Sequence, residues 1–397
     1  MKFPQLPLCA LLFPGLLFSA SGCSAEADPL DALQPARTML EYRAMSEQLY
    51  RLDQAAVKAE AKAAGLDDSA KPKKAQRFGF DAKKAASDSA FIATSAGRQI
   101  AENLLTFQTP SGGWSKRTDM GVPRPPGVQF GSEKSYVPTF DNLATSTQFW
   151  VMANACTSLG EARYCDSATR ALKYILIAQY PNGGWPQTFP LRGGYHDYIT
   201  YNDTVITSLL TIVAAAANGD PRLSFVPQAL RKQAQDSLQR ALQMVAATQV
   251  EVQGKPTIWG AQHHAESFAP VAARAFEPAA LATSESADLV LFLMSLEQRP
   301  AYIQKAIDGA LTWFEQHRID GLRYRRDGKL PSLAPREDAN PLWARFYDIN
   351  GQRPVFGDRD GKVYFDVDEI SEERRRGYAW YTEQPYKVIK QYRKARE

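Results

Sequence analysis

Two short strings in this chain join a carboxylate to an amide: Thr139-Phe140-Asp141-Asn142 and Tyr201-Asn202-Asp203-Thr204. Such a pair at a helix start ordinarily caps the helix, a side-chain oxygen accepting from a free backbone N–H. The same carboxylate and amide oxygens are also what a hard cation such as calcium takes as ligands. Two aspartates brought together repel unless a cation or a positive partner sits between them. A second set of strings carries guanidinium groups. These are Ala273-Arg274-Ala275-Phe276-Glu277, Trp343-Ala344-Arg345-Phe346-Tyr347, Arg353-Pro354 and Gly357-Asp358-Arg359-Asp360-Gly361. Guanidinium forks match carboxylates in a bidentate way. Arginines in glycine-bearing loops, beside two aspartate sites, therefore suggest a site for an acidic sugar more than a packed surface.

Other chemistries lack their residues. Asp358-Arg359-Asp360-Gly361 fails as a calcium hand because its glycine falls too early. His263-His264 lacks the glutamate and helical spacing of a zinc protease, and the chain has only 4 histidines. No Gly-x-Ser-x-Gly elbow and no phosphate-cradling glycine loop occurs. Nucleophilic hydrolysis, zinc catalysis and nucleotide chemistry rank low.

The elements that must gather these strings are helical. From about Phe91 the chain reads as amphipathic helices with apolar residues three or four apart. They are expected at Ala144–Leu159, Ser167–Gln179, Asp203–Asn218, Arg231–Gln249, Ser284–Gln298 and Ala301–His317. Strand-like alternation is confined to the C-terminal part, around Lys362–Val367. Gln108-Thr-Pro-Ser-Gly112-Gly113-Trp114 recurs as Gln179-Tyr-Pro-Asn-Gly183-Gly184-Trp185. In each copy proline and paired glycines turn the chain after a helix, and the tryptophan is placed to plug neighbouring helices. Repeated hairpins of this kind predict an all-α fold, an (α/α) toroid-like helical barrel with long loops and a few short strands. The polar loops then collect on one face. Gln-x-x-x-Gly-x-Trp is similar to the structural repeat of triterpene cyclases, which implies the same architecture. The Asp-rich proton donor of those enzymes is missing here, and these loops carry too much charge for a hydrocarbon cavity.

Composition agrees with a soluble core-bearing chain of one large domain or two ordinary ones: 397 residues, 44% hydrophobic and 23% charged. Net charge is +4 without a dense Lys/Arg tract, so nucleic acid is not an expected partner. Phe3–Ala20 is apolar but broken by prolines, the shape of a secretory signal and not of a membrane span. Ala20-Ser21-Gly22-Cys23 resembles a bacterial lipobox, with a lipid anchor at Cys23 as its implication; plain secretion is the alternative. Export to the periplasm, the outer-membrane surface or the medium is expected either way. Cys9 and Cys23 belong to that leader, which leaves Cys156 and Cys165 free to bridge if geometry allows. Domain boundaries fall at 1–22 for the signal, 23–91 for a helical or partly disordered lead-in, and 92–397 for a catalytic domain.

Taken together, the strings resemble the family 10 polysaccharide lyases, the pectate lyases. Gln108–Lys116, Phe140–Thr145, Ala178–Gln187, Tyr201–Asp203 and Ala261–His263 match. So do Ala273–Glu277, Leu342–Tyr347, Arg353-Pro354, Arg359–Gly361 and Glu373–Tyr381, in order from about residue 92 to 382. The resemblance implies a monomeric enzyme that cleaves polygalacturonate or oligogalacturonides by calcium-assisted β-elimination. It implies Asp141, Asn142 and Asp203 as metal ligands and Arg274 as the base at C5 of the uronate. It implies Lys116, Arg345, Tyr347 and Arg359 as substrate-binding residues. His264 departs from the family's Gln-His-Asp. Two other classes stay open. One is a helical-toroid glycoside hydrolase using Asp141 and Asp203 as acid and base. The other is a non-catalytic uronate binder, against which Arg274 and both aspartates argue.

Overall fold

The computed structural model describes residues 28–395 apart from 68, 70, 78–81, 134–137 and 326–330. The expected signal, the lipobox and Cys23 lie outside the described residues. Among the described residues twelve α-helices occur in order: α1 (Met39–Ala63), α2 (Lys83–Ser87), α3 (Ser89–Ile92), α4 (Ser95–Phe107), α5 (Ser146–Leu159) and α6 (Ala162–Ile177). They continue with α7 (Val205–Asn218), α8 (Gln228–Thr248), α9 (Thr283–Ser295), α10 (Ala301–Gln316), α11 (Glu372–Gly377) and α12 (Gln384–Lys394). The six long helices expected from periodicity are all present, with ends shifted by a few residues.

Helices α4, α6, α8 and α10 touch in succession, and so do α5, α7, α9 and α12. The pairs α5/α6, α7/α8 and α9/α10 tie one row to the other, which makes an open toroid of helical hairpins. Sequence dictates which row is enclosed. α7 reads Val-Ile-Thr-Ser-Leu-Leu-Thr-Ile-Val followed by alanines, apolar nearly all round, and most of it is buried. α8 alternates buried Leu230, Ala234, Ala241 and Val245 with charged residues, as one-faced helices do. Gly160 and Gly219, both left-handed, stop α5 and α7.

The repeated turn works by hydrogen bonding. Gln108 Nε2 donates to Gly112 O in its own turn and to Ser167 O on α6 (2.9 and 3.0 Å). Gln179 Nε2 does the same to Gly183 O and to Ser237 O on α8 (both 3.0 Å). Trp114 and Trp185, both fully buried, donate from Nε1 back to Leu104 O and Ile175 O (2.9 Å each). Gly112 and Gly183 have φ of 103° and 99°, and a Cβ there collides with Arg170 O and Arg240 O of the neighbouring helix.

A third copy exists that spacing hid. Gln249 Nε2 donates to Thr257 O and to Ala306 O on α10 (2.9 and 2.8 Å), and Trp259 Nε1 donates to Val245 O (2.7 Å). A hairpin of Glu251–Val252 and Lys255–Pro256 is inserted between this glutamine and its tryptophan.

The strands are short. The largest sheet is antiparallel, in the order Val363–Tyr364, Pro354–Gly357, Phe346–Tyr347, Leu281–Ala282. Its Leu281↔Tyr347 register carries the Arg345 segment to the start of α9. Helix α1, closed by a Thr38/Glu41 capping box, packs behind the turns. Tyr42 Oη donates to Ala178 O (2.7 Å), and buried Asp53 accepts from Ser111 N and Oγ (2.8 Å each). Cys156 and Cys165 form a disulfide between α5 and α6. No helix among the described residues is long and apolar enough to cross a membrane.

Candidate active site

Each buried tryptophan aims the polar string that follows it. Thr139 N donates to Trp114 O, and Phe140 N to Gln187 O (3.0 Å each). Thr200 N donates to Trp185 O and Tyr201 N to Ala261 O (3.0 Å each). Ala282 N donates to Trp259 O (2.7 Å) and Thr283 N to Arg345 O (2.9 Å). This equivalence sets Asp141 beside Asn202 and Ser284 in one slot. It sets Asn142, Asp203 and Glu285 in the next. The two aspartates therefore occupy neighbouring slots of consecutive repeats, with acid and amide exchanged.

Neither string caps its helix by side chain. Each forms a single 3₁₀ turn, with Asn142 (φ 54°, ψ 38°) and Asp203 (φ 51°, ψ 31°) left-handed. Asn and Asp tolerate that region. Thr204 (φ 60°, ψ 21°) does so only at a cost, and Thr145 (φ 62°, ψ −50°) lies outside even that region, at about 1–3 kcal/mol each for such backbone. At Thr145 the cost is overcome locally: Trp114 N donates to its Oγ1 (3.0 Å), which donates in turn to Thr139 O (2.9 Å).

These turns open on a polar cavity of about 390 Å³. It is lined by Lys116, Asp141, Asn142, Asp203 and Arg274 of the expected set. It also takes Arg117, Glu133, Gln187, Arg192, Gln262 and Glu277, which the sequence reading did not assign to the site. Asp141 is 3% exposed; Lys116 Nζ binds its Oδ2, while Oδ1 is buried without a partner. Gln187 Oε1 and Gln262 Oε1 are buried and unpartnered as well. Asp141 and Asp203 line the same cavity, close enough for the charge of one to shift the other. Burial opposes the charge on Asp141, but Lys116 outweighs it and holds the carboxyl below its usual range. Burial, then the Asp141 charge, pushes Asp203 up to about 7.

Arg345 lies behind Asp203. Its Nη2 donates to Asn202 Oδ1 (3.0 Å) and to Glu285 Oε1, forming a buried ion pair. Glu285 Oε2 and Arg345 Nε are buried and unpartnered. Arg274 binds Glu277 through Nε and Nη2 (2.7 and 2.5 Å), which lifts its pKa above the ordinary arginine value. Arg359 is not among the residues that line the cavity; it is exposed and paired with Glu373 (3.1 Å). Arg274, Arg359 and Arg374 all lie over the Phe276 ring, at 4.7, 5.1 and 4.5 Å.

Tyr347, expected among the binding residues, is buried in the core. It is 2% exposed, and its ring packs edge-on to Trp313. Its hydroxyl is spent on Ala344 N and His317 O (3.2 Å each). The edge-on contact with Trp313 and the two hydrogen bonds of the hydroxyl hold Tyr347 in the core. His263 is structural too: Nε2 accepts from Gly260 N (2.9 Å) and Nδ1 faces Phe268 O (2.7 Å). Those partners fix the neutral tautomer, and burial brings its pKa down to about 4. His264 accepts from the amides of Glu266 and Ser267 (3.3 Å each), a contact within its own loop. Glu285 was legible only through the third repeat, and Glu277 only through its pairing.

The pectic acid lyase family model matches residues 98–389. Among solved structures, a family 10 polysaccharide lyase from Cellvibrio cellulosa is similar with a TM-score of 0.71 and 30% identity, covering 80% of this chain and 98% of that one. A mutant of a family 10 polysaccharide lyase from the same organism, in complex with trigalacturonic acid, matches with the same TM-score and identity and with 99% of its chain covered. No curated protein matches the chain.

Proposed function

Because the chain belongs to the pectic acid lyase family, we propose that it cleaves α-1,4-linked polygalacturonate by calcium-assisted β-elimination, with Arg274 as the base. The chain is a polysaccharide lyase. The observation that carries the finer reading is the acid pair. Asp141 keeps a buried oxygen without a partner, and Asp203 is pushed toward neutrality by burial and then by the Asp141 charge. A pair of this kind fits a hard cation. Among the described residues no group of three or more His, Cys, Asp or Glu gathers to hold a metal. Asp141, Asp203 and Asn142 would hold calcium, with substrate and water oxygens completing its shell. When bound there, the cation would supply positive charge to the uronate carboxylate, which would make the C5 proton more acidic.

The chain's own residues divide the rest. Lys116 and Arg345 flank the acid pair and bind the substrate carboxylate; Arg359 meets the sugar. Arg274, in its neutral form, accepts the C5 proton, the C5–H electrons form the C4=C5 double bond, the C4–O bond breaks, and water protonates the departing oxygen. The Glu277 ion pair opposes this, since it stabilises the protonated arginine. The base role therefore requires Glu277 to loosen its hold when substrate arrives.

We propose residues 92–397 as the catalytic domain and 23–91 as its lead-in, of which helix α1 packs behind the turns. Export through the N-terminal apolar segment is part of the proposal, and the disulfide suits an oxidising compartment. The test is incubation with polygalacturonate, with and without a chelator, followed at near-ultraviolet wavelengths. An unsaturated product that vanishes with chelator is expected. Reducing ends without the chromophore would point to hydrolysis.

A further inference from the structure

The motif Glu373–Tyr381 matches the family yet has no role in the chemistry above. Its Tyr378 lies between the two arginines of the cleft. The Arg345 guanidinium sits over the Tyr378 ring, 4.7 Å from its centroid. The hydroxyl donates to Glu277 Oε1 (2.7 Å), the same oxygen that accepts from Arg274 Nη2. Phe276 and Trp380 hold the ring at 5.3 and 4.8 Å, and Trp380 is fixed through Nε1 to Arg374 O (2.9 Å).

We propose that Tyr378 is a positioning residue that couples the two guanidiniums, supporting Arg345 with its ring and restraining Glu277 with its hydroxyl. This rests on the lyase reading with Arg274 as base. Two donors compete for one carboxylate oxygen, so the phenol weakens the grip of Glu277 on Arg274 without adding a charge. Burial raises the phenol well above its ordinary pKa and keeps it a donor. Tyr195 and Arg359 also face Arg274, and neither makes a hydrogen bond to Glu277 in this arrangement. The ring contact with Arg345 is separate: it steadies the cation behind Asp203 whether or not the hydroxyl is present.

The test is a double-mutant cycle on polygalacturonate, with kcat and KM read from the unsaturated product. Tyr378→Phe keeps the ring and removes the donor, so kcat should fall about tenfold with KM within about twofold. Tyr378→Leu also removes the support of Arg345 and should raise KM about fivefold further. In a Glu277→Gln background, Tyr378→Phe should cost less than about twofold, because the two act through one contact. Unchanged kcat in Tyr378→Phe, or an equal loss in both backgrounds, overturns the coupling. Should Glu277→Gln be too slow to measure, the split between the Phe and Leu variants decides alone: parallel losses in kcat and KM for both would mark Tyr378 as merely structural. A wild-type protein that yields no unsaturated product overturns the lyase reading first. An active wild type with an additive cycle overturns this inference only.

Discussion

The carboxylates of Asp141 and Asp203 line one polar cavity although they ride on turns of successive helical hairpins. The turns bring them together because each is hung from the backbone of a buried tryptophan, Trp114 or Trp185. Repulsion is held off unequally: Lys116 covers Asp141, while Asp203 is left to take a proton or share a cation.

That inequality fixes a pH dependence. The folded pKa of Asp203 is raised from 3.8 to about 7. The native state thus binds more protons across that window, and stability falls as pH rises from about 4 to about 7. At pH 8 without calcium, Asp203→Asn should raise Tm above wild type. Calcium should raise the Tm of the wild type and do so far less in the variant, as scanning calorimetry can check. An equal calcium-induced rise in both would remove Asp203 from the ligand set.

Arg274→Ala should lower kcat by about 10²–10⁴-fold, the usual worth of a positioned proton acceptor. KM should change little, and circular dichroism should report an intact fold. Preserved β-elimination in that variant would show that another group takes the proton.

Gln179→Ala should cost about 2–4 kcal/mol, since it strips the donor from two buried carbonyls, Gly183 O and Ser237 O, at once. Urea titration measures this. A loss below about 0.5 kcal/mol would mean the turn is held by the tryptophan alone.

Replacing both Cys156 and Cys165 by serine should lower stability by about 2–3 kcal/mol, the expectation for a short closed loop. Activity at low temperature should persist, because the bridge ties α5 to α6 away from the cavity. An inactive but folded variant would contradict that separation.

Much of this was legible in the sequence. Apolar spacing gave the long helices, and the two Gln…Gly-Gly-Trp copies gave their arrangement in hairpins with polar loops on one face. Both aspartates, Arg274 and Lys116 were visible as residue types at turn positions, because a helix start and a glycine turn are local features. The third copy was not, since the hairpin between Gln249 and Trp259 breaks the spacing while leaving the hydrogen bonds intact. Glu285 was hidden with it.

What tertiary structure decided is which side chains meet. Sequence set the chemical types and the local turns, where neighbours along the chain determine conformation. Packing alone turned Tyr347 inward against Trp313, joined Glu285 to Arg345, and laid Tyr378 between Arg345 and Glu277. Such contacts join residues far apart in the chain, and their distances follow from how helices and strands stack, which no one-dimensional spacing records.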